Sequence, residues 1–489
     1  MKLSRISLAM AAACGALASG PAFAITASNY TNTGEFTGDT LNIRVSGASA
    51  QDNGILGSAL LFCNAGTVHR YAISNDFVFY CTPNPSQITV PAGKTKLAIY
   101  KYSVGGSAFG VAPINSTSVS DGSTLGSAGN QLPFLDLTKL DASCTGTNAT
   151  TTTPAFGTSL GTYTNVACAN ASSALTTPAT TYIGVSDVEP RFFSSATSNL
   201  TTDASYALIF GVPVSINVRN ALQTQQGLAL GDDSEAAVPT LTSAQLVSAY
   251  TQVGQTWNGI GVNFPGTIYV ARRVDSSGTQ KTFESLIART PNGQPGLKSC
   301  AVGTDLFVAP DSVNTTTGDS DTVCALATPP TVAALSGGGN VRTCLVNHNA
   351  AGRGAIGILT TEDKPGAANW RFVKVDGITP NQAQTASGRY RHYVTSAVNQ
   401  RAGATLATQS ALGYSAVVSR LKADFANPVV IKAINGADQT FGTAGLMALL
   451  DLQAPGTTPD YTGASQVIPW TKLVGGSTLD NCQAPKAVF

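Results

Sequence analysis

The stretch YVARRVDSSGTQKTFESLIART, from Tyr269 to Thr290, decides the interpretation of the fold. Its beginning has the composition of a β-strand, and two arginines stand where that strand ends. A Ser-Ser-Gly-Thr turn follows, and QKTFESLIA after the turn has the pattern of a helix. By itself, a strand, turn and helix of this kind suits an anion cradle, a nucleophilic serine or a plain helix cap.

The turn has the chemistry of an oxyanion receptor. The start of a helix exposes unpaired N–H groups and the positive end of the helix dipole. Ser277 and Thr279 add hydroxyl donors, Gly278 lets an anion approach the backbone, and an arginine supplies a planar fork of N–H groups. The same residues also suit a helix N-cap beside a surface arginine pair, and the stretch alone leaves both interpretations open.

The first 24 residues predict a secretory signal peptide. A short basic start precedes an apolar run that is too short to span a bilayer, and AFA at Ala22–Ala24 is a small-residue cleavage site. Cys14 lacks the bulky upstream residue of a lipoprotein site, and the better cleavage site lies later. We therefore expect an exported chain, periplasmic or secreted to the cell surface of a bacterium.

Composition narrows the function classes. The chain has 489 residues, enough for two or more core-bearing units. It carries 28 basic and 27 acidic side chains, without a basic stripe, which argues against nucleic acid as a partner. Beyond the signal peptide, no apolar stretch reaches the length of a membrane span, so we expect no membrane insertion.

The cysteines predict disulfides. Of the nine cysteines, Cys14 lies in the predicted signal peptide, which leaves eight. An even number in an exported chain favours disulfide bonds, and the spacings match no zinc pattern, so neither a metal nor a cofactor is expected. Proximity along the chain pairs Cys63 with Cys81 and Cys144 with Cys168. The partners of four more stay open: Cys300, Cys324, Cys344 and Cys482.

Strand-like and helix-like segments alternate, which predicts an α/β protein. TLNIRVSGASA (40–50) has the pattern of a strand that enters a small-residue turn, with a helix after it, and TKLAIYKYS (95–103) is another buried strand. YALIFGVPVSINV (206–218) is too long for one ordinary strand and suits a strand that crosses between lobes. Thr- and Asn-rich stretches at 140–181 and 311–330 suit surface insertions pinned by disulfides.

Six segments in register resemble the periplasmic phosphate-binding proteins that serve as substrate-binding components of phosphate ABC transporters. Besides VARRVDSSGTQKTF, they are VSGASA, YIGVSDVEP, LTSAQLVSAYTQVGQTWNGIG, SGGGNVRTCLVNHNAAGRGAIGI and WRFVKVDGITPN. The resemblance implies a two-lobed periplasmic-binding-protein fold of type II, with a ligand cleft between the lobes. It implies lobe one at 25–211 and 375–489, lobe two at 212–374, and a divergent, enlarged member of the family.

The resemblance also nominates site residues. It implies Ser49 as a donor at the first helix start, Asp187 as the acidic member, and Arg273, Ser277, Gly278 and Thr279 as the main cradle. Asp275 would orient Arg273, because a fixed carboxylate holds a guanidinium in place. The second loop serine of the family falls loosely on Ser107, about eighty residues before Asp187, farther than in the family.

Asp187 would set the selectivity of such a site. An ionised aspartate only accepts hydrogen bonds, so it binds an oxyanion favourably only where that anion carries a proton. Hydrogen phosphate carries one, whereas sulfate at neutral pH carries none and meets an unpaired repulsion. Asp187 alone would also suit a helix cap or an Asx turn after a strand.

Three function classes follow from these residues. The first is capture of phosphate or a related protonated oxyanion without catalysis, with an ABC transporter permease as the partner that the resemblance implies. The alternative is a secreted surface or matrix protein that keeps the fold and has no transport role. A hydrolase is not expected, because none of the three histidines accompanies a G-x-S-x-G motif: His69, His348 and His392.

Overall fold

The computed structural model describes residues 39–73, 76–115, 131–140, 144, 149–168, 175–194, 197–252, 254–286, 321–402, 413–473, 479 and 486–488. The predicted signal peptide lies outside the described residues, as do Cys300, Cys482 and the first ten residues of the predicted insertion at 311–330. Every residue predicted for the anion site lies inside them.

The strands are numbered in chain order. They are β1 Thr40–Gly47, β2 His69–Ile73, β3 Asp76–Cys81, β4 Lys96–Tyr102, β5 Gln131–Leu135, β6 Ala149–Thr152, β7 Tyr163–Ala167, β8 Thr176–Thr180, β9 Ile183–Ser186, β10 Leu200–Ser215, β11 Thr240–Leu241, β12 Tyr269–Arg273, β13 Val332–Leu335, β14 Ala355–Gly357, β15 Leu359–Thr360, β16 Trp370–Val375, β17 Tyr393–Arg401, β18 Leu446–Leu449, β19 Val467–Ile468, β20 Trp470–Thr471 and β21 Lys486–Ala487.

Helices separate many of these strands, as an α/β fold requires. They are α1 Asp52–Phe62, α2 Ala112–Asn115, α3 Ile216–Gln225, α4 Ser243–Thr251, α5 Gly278–Leu286, α6 Gly338–Ala350, α7 Gln382–Ala386, α8 Tyr414–Ala426 and α9 Pro428–Asn435. α4 begins with a capping box, in which the Thr242 hydroxyl accepts from the Gln245 N–H. The α/β class expected from the sequence is confirmed.

A large mixed sheet gathers strands from the first half of the chain and from its end. Its order is β6-β7-β2-β3-β4-β1-β9-β17-β10-β18-β19. In its middle, β1 runs parallel to both β4 and β9. The central strands are apolar and buried, and α1 and α8 pack on one face, where Tyr206 meets Phe425 edge to face.

A second, smaller sheet has the order β13-β12-β14-β10-β16-β11. The strand β10 belongs to both sheets: Leu200–Ile209 pairs with β17, whereas Val212–Ser215 pairs with β16. This 16-residue strand contains residues 206–215 of the segment predicted to cross between lobes, whereas the last three predicted residues, 216–218, begin α3. The precise lobe limits implied by the resemblance stay a prediction.

In both sheets, the carboxyl ends of parallel strands lead into the loops that carry the predicted site residues. In the first sheet, β4 and β9 both run parallel to β1. In the second sheet, β12 and β13 are parallel. Ligand sites in α/β folds form beyond the carboxyl ends of parallel strands, where the loops converge. The predicted site residues all follow such ends or stand at them.

Three disulfides lie within the described residues. Cys63–Cys81 and Cys144–Cys168 confirm the two pairs expected from proximity along the chain. The third joins Cys324 to Cys344 and resolves one of the open pairings. In the part of the chain that the structure describes, no helix has the length and apolar character of a membrane span.

Candidate functional site

The site is built on loops that follow the ends of four strands. Ser49 follows β1, Ser107 follows β4, Asp187 follows β9, and the Ser276–Thr279 turn follows β12. Three of these strands belong to the first sheet and one to the second. Segments far apart in the sequence therefore meet between the two sheets.

Ser107, Asp187 and Gly278 lie in direct contact. The Ser107 hydroxyl accepts a hydrogen bond from the Asp187 backbone N–H at 3.0 Å. A Cβ atom on Gly278 would lie 2.4 Å from the Ser107 Oγ and 2.8 Å from the Asp187 Cβ. Only glycine leaves room for these segments to meet, so the start of α5 touches both residues.

A backbone hydrogen bond joins the loop after β4 to the turn before α5. The Ala108 N–H donates to the Ser276 carbonyl at 2.9 Å. Gly106, whose φ is +70°, would carry a Cβ only 3.0 Å from the Ser277 Cα. The two sheets are thus held together by main-chain contacts beside the candidate site.

Arg273 is fixed at the end of β12 by carbonyl groups. Its Nε donates to the Leu335 carbonyl at 3.1 Å, and its Nη2 donates to the Ser336 carbonyl. Both acceptors belong to the neighbouring strand β13 or to the residue after it. The side chain is buried, and burial lowers the pKa of the guanidinium to about 10, an effect that the charge of Asp187 opposes. Arg273 therefore remains a cation at neutral pH.

Asp275 does not orient Arg273, contrary to the role that the resemblance implied. Its carboxylate pairs with Arg272, whose Nη1 lies 2.6 Å from Oδ1, so Asp275 is not the group that orients Arg273. Arg272 and Arg273 are adjacent on β12 and point to opposite faces, as successive strand residues do. The carbonyls of β13 hold Arg273 instead, a role that sequence spacing does not reveal.

Asp187 is a buried carboxyl group among charges of both signs. Burial raises its pKa to about 6, whereas the charge of Arg273, a hydrogen bond with Ser107 and the charge of Lys101 act in the opposite direction. Its Oδ1 is buried and has no hydrogen-bond partner among the described residues. A buried oxygen of this kind is costly unless a ligand supplies a donor.

The hydroxyl groups of the Ser-Ser-Gly-Thr turn are buried beside Asp187. Ser276, Ser277 and Thr279 are each at most 2% exposed. Within the described residues, the Oγ atoms of both serines lack a hydrogen-bond partner. The turn therefore offers hydroxyl groups at the start of the nine-residue helix α5.

Ser49 is half-buried at the start of the short 3-10 turn that leads into α1. The turn before it packs against the segment that precedes Asp187: the Ala48 N–H donates to the Val185 carbonyl at 2.9 Å. Gly47 makes this approach possible, since its φ is +114° and a Cβ there would lie 2.0 Å from the Val185 carbonyl oxygen. The Gln51 amide also donates to the Ser186 carbonyl at 2.8 Å.

Sequence reasoning missed a buried ion pair behind this turn. The Lys101 Nζ lies 3.1 Å from the Asp52 Oδ1, and the lysine is fully buried on β4. Burial lowers the pKa of Lys101, and the carboxylate of Asp52 opposes that shift. The signal was present: Lys101 interrupts an apolar strand, and a charge in such a strand is buried only with a partner.

A third carboxyl group, Glu362, was also missed. It follows β15, and its Oε2 is buried without a hydrogen-bond partner among the described residues. Burial raises its pKa to about 8; the charge of Lys364 lowers it, and that of Asp187 adds to the rise. The charge of Asp187, a candidate site residue, thus affects the pKa of Glu362. Nothing in the local sequence of Glu362 distinguishes it from other acidic residues.

The histidines stand in separate environments. His69 begins β2, His348 lies on α6, and His392 packs edge to face on Tyr390. The ring of His348 stacks on Tyr269 with centroids 4.5 Å apart, and burial lowers its pKa to about 4. His348 is thus a neutral, packed ring at physiological pH.

No family model and no curated protein matches this sequence. The similar solved structures include proteins whose names state phosphate binding or phosphate transport. One, from Clostridium perfringens and assigned as the substrate-binding protein of a phosphate ABC transporter with bound phosphate, is 11% identical, with a TM-score of 0.37 over 78% of this chain and 97% of that one. An ABC-type phosphate transport receptor from Vibrio cholerae is 18% identical, with a TM-score of 0.28 over 50% and 78%. A human phosphate-binding apolipoprotein is 16% identical, with a TM-score of 0.33 over 53% and 76%.

Proposed function

We propose that this chain binds phosphate or a related protonated oxyanion between its two sheets and performs no chemical step on it. One observation carries the proposal. Ser107, Asp187 and Gly278 come from three distant parts of the chain, and they meet with the 3.0 Å hydrogen bond and the close approach described above. These three residues, which were predicted for anion binding, therefore lie next to one another.

The donors of the site suit an anion. The start of α5 supplies backbone N–H groups and the positive end of a helix dipole. Ser277 adds a buried hydroxyl without a protein partner in the described chain. Two of the five donors of Arg273 serve carbonyls, and the proposal assigns the remaining donors to the anion.

The acceptor of the site selects a protonated anion. When ionised, Asp187 offers only acceptor oxygens, and its Oδ1 is buried with no donor from the described residues. An anion that carries a proton can satisfy this oxygen, whereas sulfate cannot. Phosphate therefore fits the combination of donors and one carboxylate better than sulfate does.

The environment of Ser277 supports binding without catalysis. A nucleophilic serine requires a base within hydrogen-bond reach. Among the described residues, the Ser277 Oγ has no hydrogen-bond partner, so neither a histidine nor a carboxylate is placed to take its proton. The proposal accordingly gives Ser277 the role of a hydrogen-bond donor.

The proposal includes export to an oxidising compartment. The three disulfides suit the periplasm or the cell exterior, where such bonds persist. The proposal implies an ABC transporter permease as the partner of the anion-bound protein. Anion binding is tested without this partner.

Isothermal titration calorimetry with inorganic phosphate tests the proposal. The protein is unfolded in guanidine, dialysed free of ligand and refolded before the titration. Arg273→Ala is expected to weaken phosphate binding by at least about a hundredfold, because charge-assisted hydrogen bonds to the anion are lost. The matched control is Arg272→Ala, which removes the neighbouring arginine that pairs with Asp275. Equal affinities for wild type and both variants would place the binding site elsewhere.

A further inference from the structure

A buried lysine holds the turn that carries Ser49. The Lys101 Nζ donates to the Gly47 carbonyl at 2.9 Å and to the Ala48 carbonyl at 3.3 Å. It also donates to the Ser103 Oγ at 2.7 Å. With the ion pair to Asp52 at 3.1 Å, the ammonium group has partners on four residues of two segments.

The partners of Lys101 are themselves tied together. The Ser103 hydroxyl lies 2.9 Å and 3.1 Å from the two carboxylate oxygens of Asp52, so it bridges the carboxylate and the ammonium. Asp52 is the first residue of α1, next to the turn. The lysine therefore cannot change position without disturbing the start of α1 and the end of β4.

The carbonyl that Lys101 binds determines where a backbone donor points. The Ala48 carbonyl and the Ser49 N–H belong to the same planar trans peptide group and point in opposite directions. A cation that fixes this carbonyl on one side fixes the N–H on the other side. The positive charge also polarises the peptide group, which strengthens the N–H as a donor.

The turn is clamped from its other side as well. The Ala48 N–H bonds to the Val185 carbonyl at 2.9 Å, two residues before Asp187. The Gly47–Ala48 peptide is thus held at its N–H by the Val185 carbonyl and at its carbonyl by Lys101, and the next peptide, Ala48–Ser49, is held by Lys101 at its carbonyl. On the turn itself, both contacts involve main-chain atoms, so they define the orientation of the peptide groups rather than a side-chain rotamer.

We propose that Lys101 is a positioning residue of the anion site, which holds the Ala48–Ser49 peptide so that the Ser49 N–H points at the bound oxyanion. This inference rests on the proposed function, because it assigns a backbone donor to the same site. Lys101 itself stays behind the turn, with Asp52 and Ser103. Its effect on the ligand passes through the peptide group.

A double-mutant cycle tests this role by calorimetry with inorganic phosphate. Lys101→Met is expected to weaken phosphate binding about tenfold, with the phosphate-to-sulfate affinity ratio unchanged. Ser49→Pro removes the N–H at the first position of a helical turn, where proline is tolerated. In the Ser49→Pro background, Lys101→Met should cost no further affinity, whereas in the Ser49→Ala background it should still cost about tenfold.

The outcomes of this cycle separate the positioning role of Lys101 from the proposed phosphate binding. If Lys101→Met lowers affinity by the same factor with and without the Ser49 N–H, or leaves wild-type affinity unchanged, the positioning role is refuted while phosphate binding stands. If the wild-type protein binds no phosphate, the proposed function itself fails. Should Lys101→Met lose its native circular dichroism, Ser103→Ala replaces it in the cycle, with an expected loss of about threefold and the same dependence on Ser49.

Discussion

The hydroxyl of Ser107 and the backbone N–H of Asp187 are joined by a 3.0 Å hydrogen bond across 80 residues of sequence. Both residues are buried, and the start of α5 touches both of them at Gly278. This contact unites the loops of the first sheet with the helix that begins beside the second. The proposed function depends on it, because it brings an acidic acceptor to a helix start that favours anions.

Asp187→Asn should reduce the discrimination between phosphate and sulfate. The amide adds a donor where the carboxylate only accepts, so sulfate no longer meets an unpaired repulsion. We expect the ratio of phosphate to sulfate affinity to fall by at least about tenfold in competition calorimetry. Asp275→Asn is the control, since this carboxylate pairs with Arg272. An unchanged ratio in Asp187→Asn would remove Asp187 from the selectivity mechanism.

The same ratio should depend on pH. Burial raises the pKa of Asp187 from 3.8 to about 6, so the folded protein takes up this proton as the pH falls through about 6. A protonated Asp187 can donate to sulfate, and the phosphate-to-sulfate ratio should therefore decline between about pH 8 and pH 5. The decline should be smaller in Asp187→Asn, in which only the protonation of phosphate itself changes over this range. An equal decline in that variant would assign the pH dependence to another group.

Gly278→Ala should weaken phosphate binding by about tenfold or more. A Cβ at this position would lie 2.4 Å from the Ser107 Oγ, which forces the helix start away from the opposite loop. The matched control is Gly338→Ala, at the first position of α6, where the nearest atom would be 3.5 Å from the new Cβ. Calorimetry on both variants compares the positions, and a loss of equal size in both would contradict the contact.

Removal of the Cys63–Cys81 disulfide should lower stability without changing the anion site. Cys63→Ala combined with Cys81→Ala opens a link across 18 residues, and the free energy of unfolding should drop by about 3 kcal/mol. The bond lies at the end of α1, whereas Ser49 lies before its start, so phosphate affinity should stay the same. Urea denaturation measures the first effect. An unchanged urea midpoint would show that this link carries no stability.

The sequence predicted the elements of the site better than their contacts. The strand, turn and helix around Arg273 follow from local composition and helix-start chemistry, and so does the crossing strand β10. The partner of Asp275 does not, because Arg272 and Arg273 differ only by the face of the strand on which each lies. The carbonyls that hold Arg273 come from β13, about sixty residues later, and backbone acceptors carry no signal in the side-chain pattern.

The buried ion pair shows the same limit. Lys101 could be noticed as a charge within an apolar strand, but its partner Asp52 lies on another element. Which carboxylate neutralises it depends on the parallel pairing of β1 with β4, which brings the start of α1 beside the end of β4. Pairing of this kind is a property of the fold and not of either segment.

Asp187 and the start of α5 form, in our proposal, one site for a protonated oxyanion. The most direct test is a calorimetric titration of ligand-stripped wild-type protein with phosphate and, separately, with sulfate at neutral pH. We expect saturable binding of phosphate with one site per chain, and sulfate binding weaker by at least about a hundredfold. Absence of phosphate binding at about millimolar concentration by the folded protein, or equal affinity for both anions, would contradict the proposal.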